Sequence, residues 1–142
     1  MPVILETDLL TVLQRASQPA CGKLQRRLAQ VPNAEIFTTI ISFQEQMRGW
    51  LAVLHRAKTE KRLLSAYAEL QGMLRDFCRL KVLPFDVNAH RIFADLRRRH
   101  IRIGTMDLRI TAIALSTGAT VLSRNLKDFE QVPGLSAEDW TL

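Results

Sequence analysis

A chain of 142 residues is the size of one domain, and 47% hydrophobic residues are enough to give it a core of its own. Twenty Lys and Arg against fourteen Asp and Glu leave a formal charge of +6, which favours phosphate-rich partners. No apolar run reaches membrane-spanning length, the start MPVILETDLL has no basic leader, and one Tyr with two Trp is too little for an extended aromatic platform.

In chain order, PVIL opens as a short buried strand. DLLTVLQRAS then repeats Leu9, Leu10, Leu13 and Ala16 at helical spacing, with Asp8 as a candidate N-cap. GKLQRRLAQV gives a second short helix through Leu24, Leu28 and Val31, broken by Pro32 and Asn33. AEIFTTII is rich in β-branched residues and reads as a strand. SFQEQMRGWLAVLHRA is helical; Ser42 is its candidate N-cap, and Glu45 three residues on has capping-box spacing.

TEKRLLSAYAELQGMLRDFCRL is a long amphipathic helix capped by Thr59, with Leu63, Ala66, Leu70, Met73 and Phe77 on its apolar face. Its further apolar residues Leu64, Tyr67 and Leu74 suit either a partner contact or a doubly covered core helix. KVLPF is a strand that Pro84 ends or confines to a sheet edge. VNAHRIFADLRRRH is a helix with Ile92, Phe93 and Leu96 inward and Arg97, Arg98 and Arg99 at its C-terminal end, where cations are favoured. TMDLRITAIALSTG runs as a helix from a Thr105 cap to a stop at Gly118. ATVLS is an apolar strand, NLKDFEQVPG a loop or single turn, and the rest a tail around Leu135 and Trp140. Alternating strands and helices predict an α/β fold: a three-layer α/β/α sandwich with a central parallel sheet, one domain over residues 1–142.

Four acids stand where short apolar runs meet helix starts: Glu6, Glu45, Asp107 and Asp128. In an open α/β sheet, functional groups collect outside the carboxyl ends of the strands. Four carboxylates gathered there make a hard-cation site, suited to magnesium or manganese. Singly, each has a local role as well. Asp107 suits the first turn of its helix, Glu45 can partner Ser42, and Asp128 can form a turn. Glu6 fits such a role least, because a carboxylate directly after a buried strand needs a partner or a metal. Cys21 and Cys78 are far apart and read as reduced thiols of a cytoplasmic protein. His55, His90 and His100 lack zinc-ligand spacing. There is no G-x-S-x-G elbow, and GATVLSRN lacks the Gly pattern and Lys of a phosphate loop.

These local sequences also resemble a family. LETDLL is similar to the LDTNxL or LDTDxL start of PIN domains, and IISFQEQMRGW, through Ser42, Glu45 and Gly49, resembles at approximate spacing their S-x-x-x-x-E-x-x-x-G segment. Ile103 to Leu135 is close to the C-terminal half of the VapC-like toxin ribonucleases of toxin–antitoxin pairs. The resemblance implies magnesium or manganese held by acids, and hydrolysis of RNA phosphodiesters. It places Glu6 at the family's first acid, Glu45 at the second, Asp107 at the third and Asp128 near the fourth. Thr7, Asp8, Ser42, Ser123 and Asn125 are the supporting polar residues, and Arg48, Arg109, Arg124 and Lys127 the candidate contacts to RNA phosphates. A homodimer and a cognate antitoxin that covers the acidic groove are implied too. One residue departs: the family's first acid is Asp, and Glu6 is longer by one methylene. Magnesium demands tight octahedral geometry, so the backbone adjusts, Asp8 substitutes as ligand, or the enzyme is impaired. The alternatives are a catalytically degenerate PIN domain that binds RNA or protein, and a receiver-like or flavodoxin-like binding module.

Overall fold

The computed structural model describes residues 1–15 and 19–142. Its strands are β1 (Val3–Leu5), β2 (Ile36–Thr39), β3 (Lys81–Leu83), β4 (Thr120–Leu122) and β5 (Ala137–Glu138). They form one parallel sheet in the order β3-β2-β1-β4-β5. The helices are α1 (Thr7–Arg15), α2 (Pro19–Leu28), α3 (Ile40–Arg56), α4 (Glu60–Arg79), α5 (Val87–Arg98), α6 (Thr105–Thr117) and the single turn α7 (Leu126–Phe129). The expected α/β architecture with a parallel sheet is thus observed.

Why the central strands carry unbroken apolar runs is visible in the packing. Val3, Leu5 and Leu122 meet Leu9 of α1, Leu24 of α2 and Trp140. Ile4 and Val121, one residue out of phase, meet Ile110, Ile113 and Ala114 of α6 and Ala89 of α5. Helices therefore cover both faces, and the polar residues that these strands do carry, Thr38, Thr39 and Thr120, are buried with their hydroxyls hydrogen-bonded. A further cluster ties α1, α3 and α4 together through Leu10, Met47, Met73 and Phe77, with Phe43 edge-on to Phe77 at 5.1 Å. Among the described residues no helix is long and apolar enough to cross a membrane.

Several element ends differ from the sequence expectation. The strand expected to run to Ile41 stops at Thr39, whose hydroxyl accepts the Ser42 N–H and caps α3. Ser42 is therefore inside the helix and is not its N-cap. Asp8 lies in the first turn of α1, one residue past its start, so it is not a cap either. Gly104, not Thr105, is the N-cap residue of α6, and it offers no side chain. Thr59 caps α4 as expected, and Gly118 stops α6 in the left-handed region at φ 67°. Pro84 lies just past β3, which is an edge strand. The tail contains β5, whose Ala137 and Glu138 pair with Val121 and Leu122. Ala16 and Ser17 of the first expected helix fall outside the described residues.

Connectivity fixes where function can sit. From β1 the chain passes to β2 on one side, while β4 lies on the other. The carboxyl ends of β1 and β4 therefore flank a topological switch point, the crevice where open sheets hold ligands.

Candidate active site

Glu6 leaves β1 at that crevice and is only 7% exposed. Its N–H donates to Leu122 O at 3.2 Å, and its Oε1 accepts the Leu9 N–H at 3.1 Å. The side chain thus caps α1. Burial raises its pKa from 4.5 to about 7; the Leu9 N–H opposes that rise, and the negative charges of Asp8 and Asp107 add to it. Asp107, in the first turn of α6, is likewise raised, by burial first and then by Glu45 and Asp128. The four acids singled out from sequence therefore share one electrostatic neighbourhood. Among the described residues, no cation holds either the Glu6 or the Asp107 carboxyl down.

Each of the other acids is steered by a neighbour. Glu45, half-buried on α3, takes a 2.6 Å hydrogen bond from Thr7 Oγ1. That hydroxyl has one proton, and the short contact to a carboxylate claims it, so Ser42 Oγ at 3.0 Å donates to Thr7. Glu45 is consequently not the second half of a capping box; it is turned from its own helix toward α1. Asn125 Nδ2 donates to Asp128 Oδ2 at 3.1 Å, and buried Ser123 accepts the Asn125 N–H at 2.9 Å. Asp8 is gripped by Arg124 through two parallel bonds, Nε to Oδ2 at 2.8 Å and a terminal nitrogen to Oδ1 at 2.9 Å. Arg124 also feels the charges of Asp139 and Glu6, and its pKa is raised, chiefly by the bond to Asp8.

The basic candidates separate. Arg124 is at the rim of the acid cluster, and Lys127 is exposed in α7 beside Asp128. Arg109 is turned away, with its guanidinium 5.3 Å from the Phe93 ring centre. Residues two apart on a helix point about 200° from one another, so Asp107 and Arg109 cannot both face the crevice. Arg48 lines an apolar hollow with Ile40, Phe43 and Met47. That hollow is distinct from the groove onto which Glu45 opens.

This second groove, of about 570 Å³, runs between α1, α3 and α4 and begins at Thr7 and Glu45. Part of its wall is a reciprocal amide pair, Gln14 with Gln46, at 3.1 and 2.9 Å, with Gln46 also donating to Thr11 Oγ1 at 3.3 Å. Sequence reading missed Thr39, Gln14, Gln46 and Asp139. The partners of Thr39, Gln14 and Gln46 lie in other elements, and Asp139, which accepts from Thr141, reaches Arg124 only through the fold.

A hard divalent cation fits the donor chemistry, since the four acids offer oxygen and the two carboxyls at Glu6 and Asp107 are raised by burial first and then by neighbouring negative charge. Among the described residues, however, no three acids close on one point as a finished ligand set. Glu6 faces the Leu9 amide, Glu45 faces Thr7, and Asp128 faces Asn125. Each of those bonds uses one carboxylate oxygen and leaves the other for a cation.

A family model described as PIN domain matches residues 3–135. The chain belongs to the PIN-domain family. This PIN domain is 40% identical over 140 residues to Ribonuclease VapC1 of Rickettsia felis, covering 95% of this chain and 93% of that protein. It is 39% identical over 66 residues to the tRNA(fMet)-specific endonuclease VapC of Salmonella typhimurium. That second alignment spans 44% of this chain and 50% of the relative, so only about half of the Salmonella protein's length is matched. Among solved structures, VapBC-1 from nontypeable Haemophilus influenzae superposes with a TM-score of 0.76 at 21% identity, covering all of both chains. DNA-bound VapBC from Salmonella typhimurium gives 0.72 at 23% identity, covering 99% of this chain and 98% of that one. These two likenesses concern the fold. Within the family, the PIN domain is VapC-like.

Proposed function

We propose that this VapC-like PIN domain is an endoribonuclease that hydrolyses RNA phosphodiesters with magnesium or manganese. The observation that carries the reading is the gathering of Glu6, Glu45, Asp107 and Asp128 at the switch point, where the charge of Asp107 adds to the rise at Glu6 and the charges of Glu45 and Asp128 add to the rise at Asp107. Glu6, Asp107 and Asp128 would hold the cation, with Glu45 beside them. Bound there, the cation supplies Lewis-acid chemistry, offsetting phosphate charge and making hydroxide available near neutral pH.

The chain's own residues do the rest. The Leu9 N–H and Leu122 O fix Glu6 at the crevice. Thr7 holds the Glu45 carboxylate toward α1, and Asn125 holds Asp128. Arg124 presents a guanidinium at the rim, where a phosphate oxygen can share it with Asp8. No covalent nucleophile is required of the protein.

The names of the relatives support ribonuclease activity, and the solved VapBC complexes support a cognate antitoxin as partner. A homodimer in the cytoplasm completes the proposal. One observation favours the rival reading of a degenerate, RNA- or protein-binding domain: Glu6 already uses an oxygen on Leu9, and no ligand set is preformed.

RNA cleavage in manganese or magnesium, beside Asp107→Asn, separates the two. The expected result is a loss of at least about a hundredfold in kcat with the variant still folded, since each positioned charge at such a site is worth about that much. Equal rates for the two proteins would leave the degenerate reading standing.

A further inference from the structure

The groove that starts at Thr7 and Glu45 is kept open by what its walls lack. Gly49 of α3 and Gly72 of α4 both line it. A Cβ built on Gly49 meets nothing within 4 Å, and one on Gly72 meets only an Arg75 nitrogen at 4.0 Å. Close packing therefore forbids alanine at neither position, although alanine is the better helix former. What an added methyl would occupy is the groove itself. Its volume of about 570 Å³ lies in the usual range for ligand sites, about 300–1,000 Å³. Trp50 and Met73 supply apolar wall; Glu69 and Asp76 of α4 supply carboxylates, with Arg15 from α1.

We propose that this groove receives one unstacked nucleobase of the RNA, guanine above the others, beside the phosphate to be cleaved. The proposal rests on the ribonuclease reading and names what that site selects. Because Thr7 and Glu45 belong both to the groove and to the catalytic crevice, an occupant of the groove neighbours the reacting phosphate. Glu45, Glu69 and Asp76 make the groove a poor track for a phosphate backbone, so the backbone stays at the mouth and the base enters. RNA is read in this way, by splaying bases onto aromatic side chains and bonding their Watson–Crick edges. One ring in a pocket suffices, where an extended platform would need several. Carboxylate walls accept and do not donate. Guanine offers two adjacent donors, N1–H and the N2 amino group. Adenine and cytosine set an amino group beside an acceptor, and uracil has a single N–H between two carbonyls.

The experiment uses RNA hairpins that differ only in the base flanking the cleaved bond, together with nucleoside monophosphates as fluorescence quenchers. Wild type is expected to prefer guanine, and guanosine monophosphate to quench tryptophan emission in wild type and not in Trp50→Phe. Gly49→Ala and Gly72→Ala should keep or raise Tm while increasing KM roughly tenfold with kcat retained; Trp50→Ala should cost a similar factor, the scale of one lost base stack. Glu69→Gln and Asp76→Asn should flatten the base preference. If wild type cleaves RNA and these variants keep its KM and preference, the base pocket is overturned and the ribonuclease reading survives. If no RNA is cleaved but guanosine monophosphate still quenches Trp50, the pocket is supported and the ribonuclease reading falls. Quenching by an arginine-rich peptide and by no nucleotide overturns the pocket, giving the groove to a cationic protein segment.

Discussion

Glu6 caps α1 with one oxygen of the carboxylate that a cation would need, and the burial of that carboxylate has a measurable consequence. Its folded pKa, about 7, stands above the ordinary 4.5. The folded state therefore binds this proton more tightly than the unfolded state, and stability falls as pH rises. Below about pH 4.5 both states are protonated and nothing is lost. Between there and about pH 7 the loss accrues, and above pH 7 it stays at its full value. A shift of this size corresponds to about 3 kcal/mol at most. Asp107 is shifted in the same direction and adds to the slope. In cation-free buffer, Glu6→Gln keeps an oxygen for the Leu9 amide and removes the charge. It should be more stable than wild type at pH 8 by about 2 kcal/mol, with the advantage gone near pH 4.5. Urea midpoints across that range check it, and parallel curves for the two proteins would mean that Glu6 is not held up by burial.

Between elements, hydroxyl side chains and caps decide where helices begin and which way the acids turn. Thr39 both ends β2 and caps α3, whereas Glu45 contributes nothing to that cap. Thr39→Ala is accordingly expected to cost about 1 kcal/mol of stability. Glu45→Ala should cost far less, because it also relieves repulsion on Asp107. Chemical denaturation of both variants tests this, and the reverse ranking would restore the Ser42–Glu45 capping box. The same residues show how much was legible in the sequence. The parallel sheet could be read because Val3 to Leu5, and Val121 and Leu122, are buried on both faces and so lack polar alternation. Glu6, Asp107 and Asp128 could be read because they follow a strand or lie in the first turn of a helix, whereas Glu45 lies in the second turn of α3 and was legible through its spacing from Ser42. Thr39 and Ser42 could not be ranked, since both are capping types and only the strand's end point distinguishes them. The pairing of β5 is two residues long and has no pattern of its own. Asp8 and Arg124 are 116 positions apart, and only the fold brings their charges together.

Over the whole molecule the charges segregate: a chain of net charge +6 gathers its most strained carboxyls in one crevice. A polyanion is drawn to such a surface and excluded from the acid cluster unless a cation sits there, so attraction and chemistry depend on different ions. Monovalent salt weakens the first through counterion release, with a slope of about 0.7 per phosphate contacted on a single strand. Three contacts would raise KM roughly twentyfold between 50 and 200 mM salt, at saturating manganese and with kcat little changed. Arg124 stands at the rim and Arg109 lies over Phe93, and that difference assigns the slope. Arg124→Gln should lower the slope of log KM against log salt by the share of about one phosphate, while Arg109→Gln should leave it unaltered. Since the Arg124–Asp8 pair is largely exposed, its loss should change stability by less than about 1 kcal/mol, so a reduced slope in a protein of normal Tm reports contact with RNA. Equal slopes in both variants would place the phosphate path elsewhere on the basic surface.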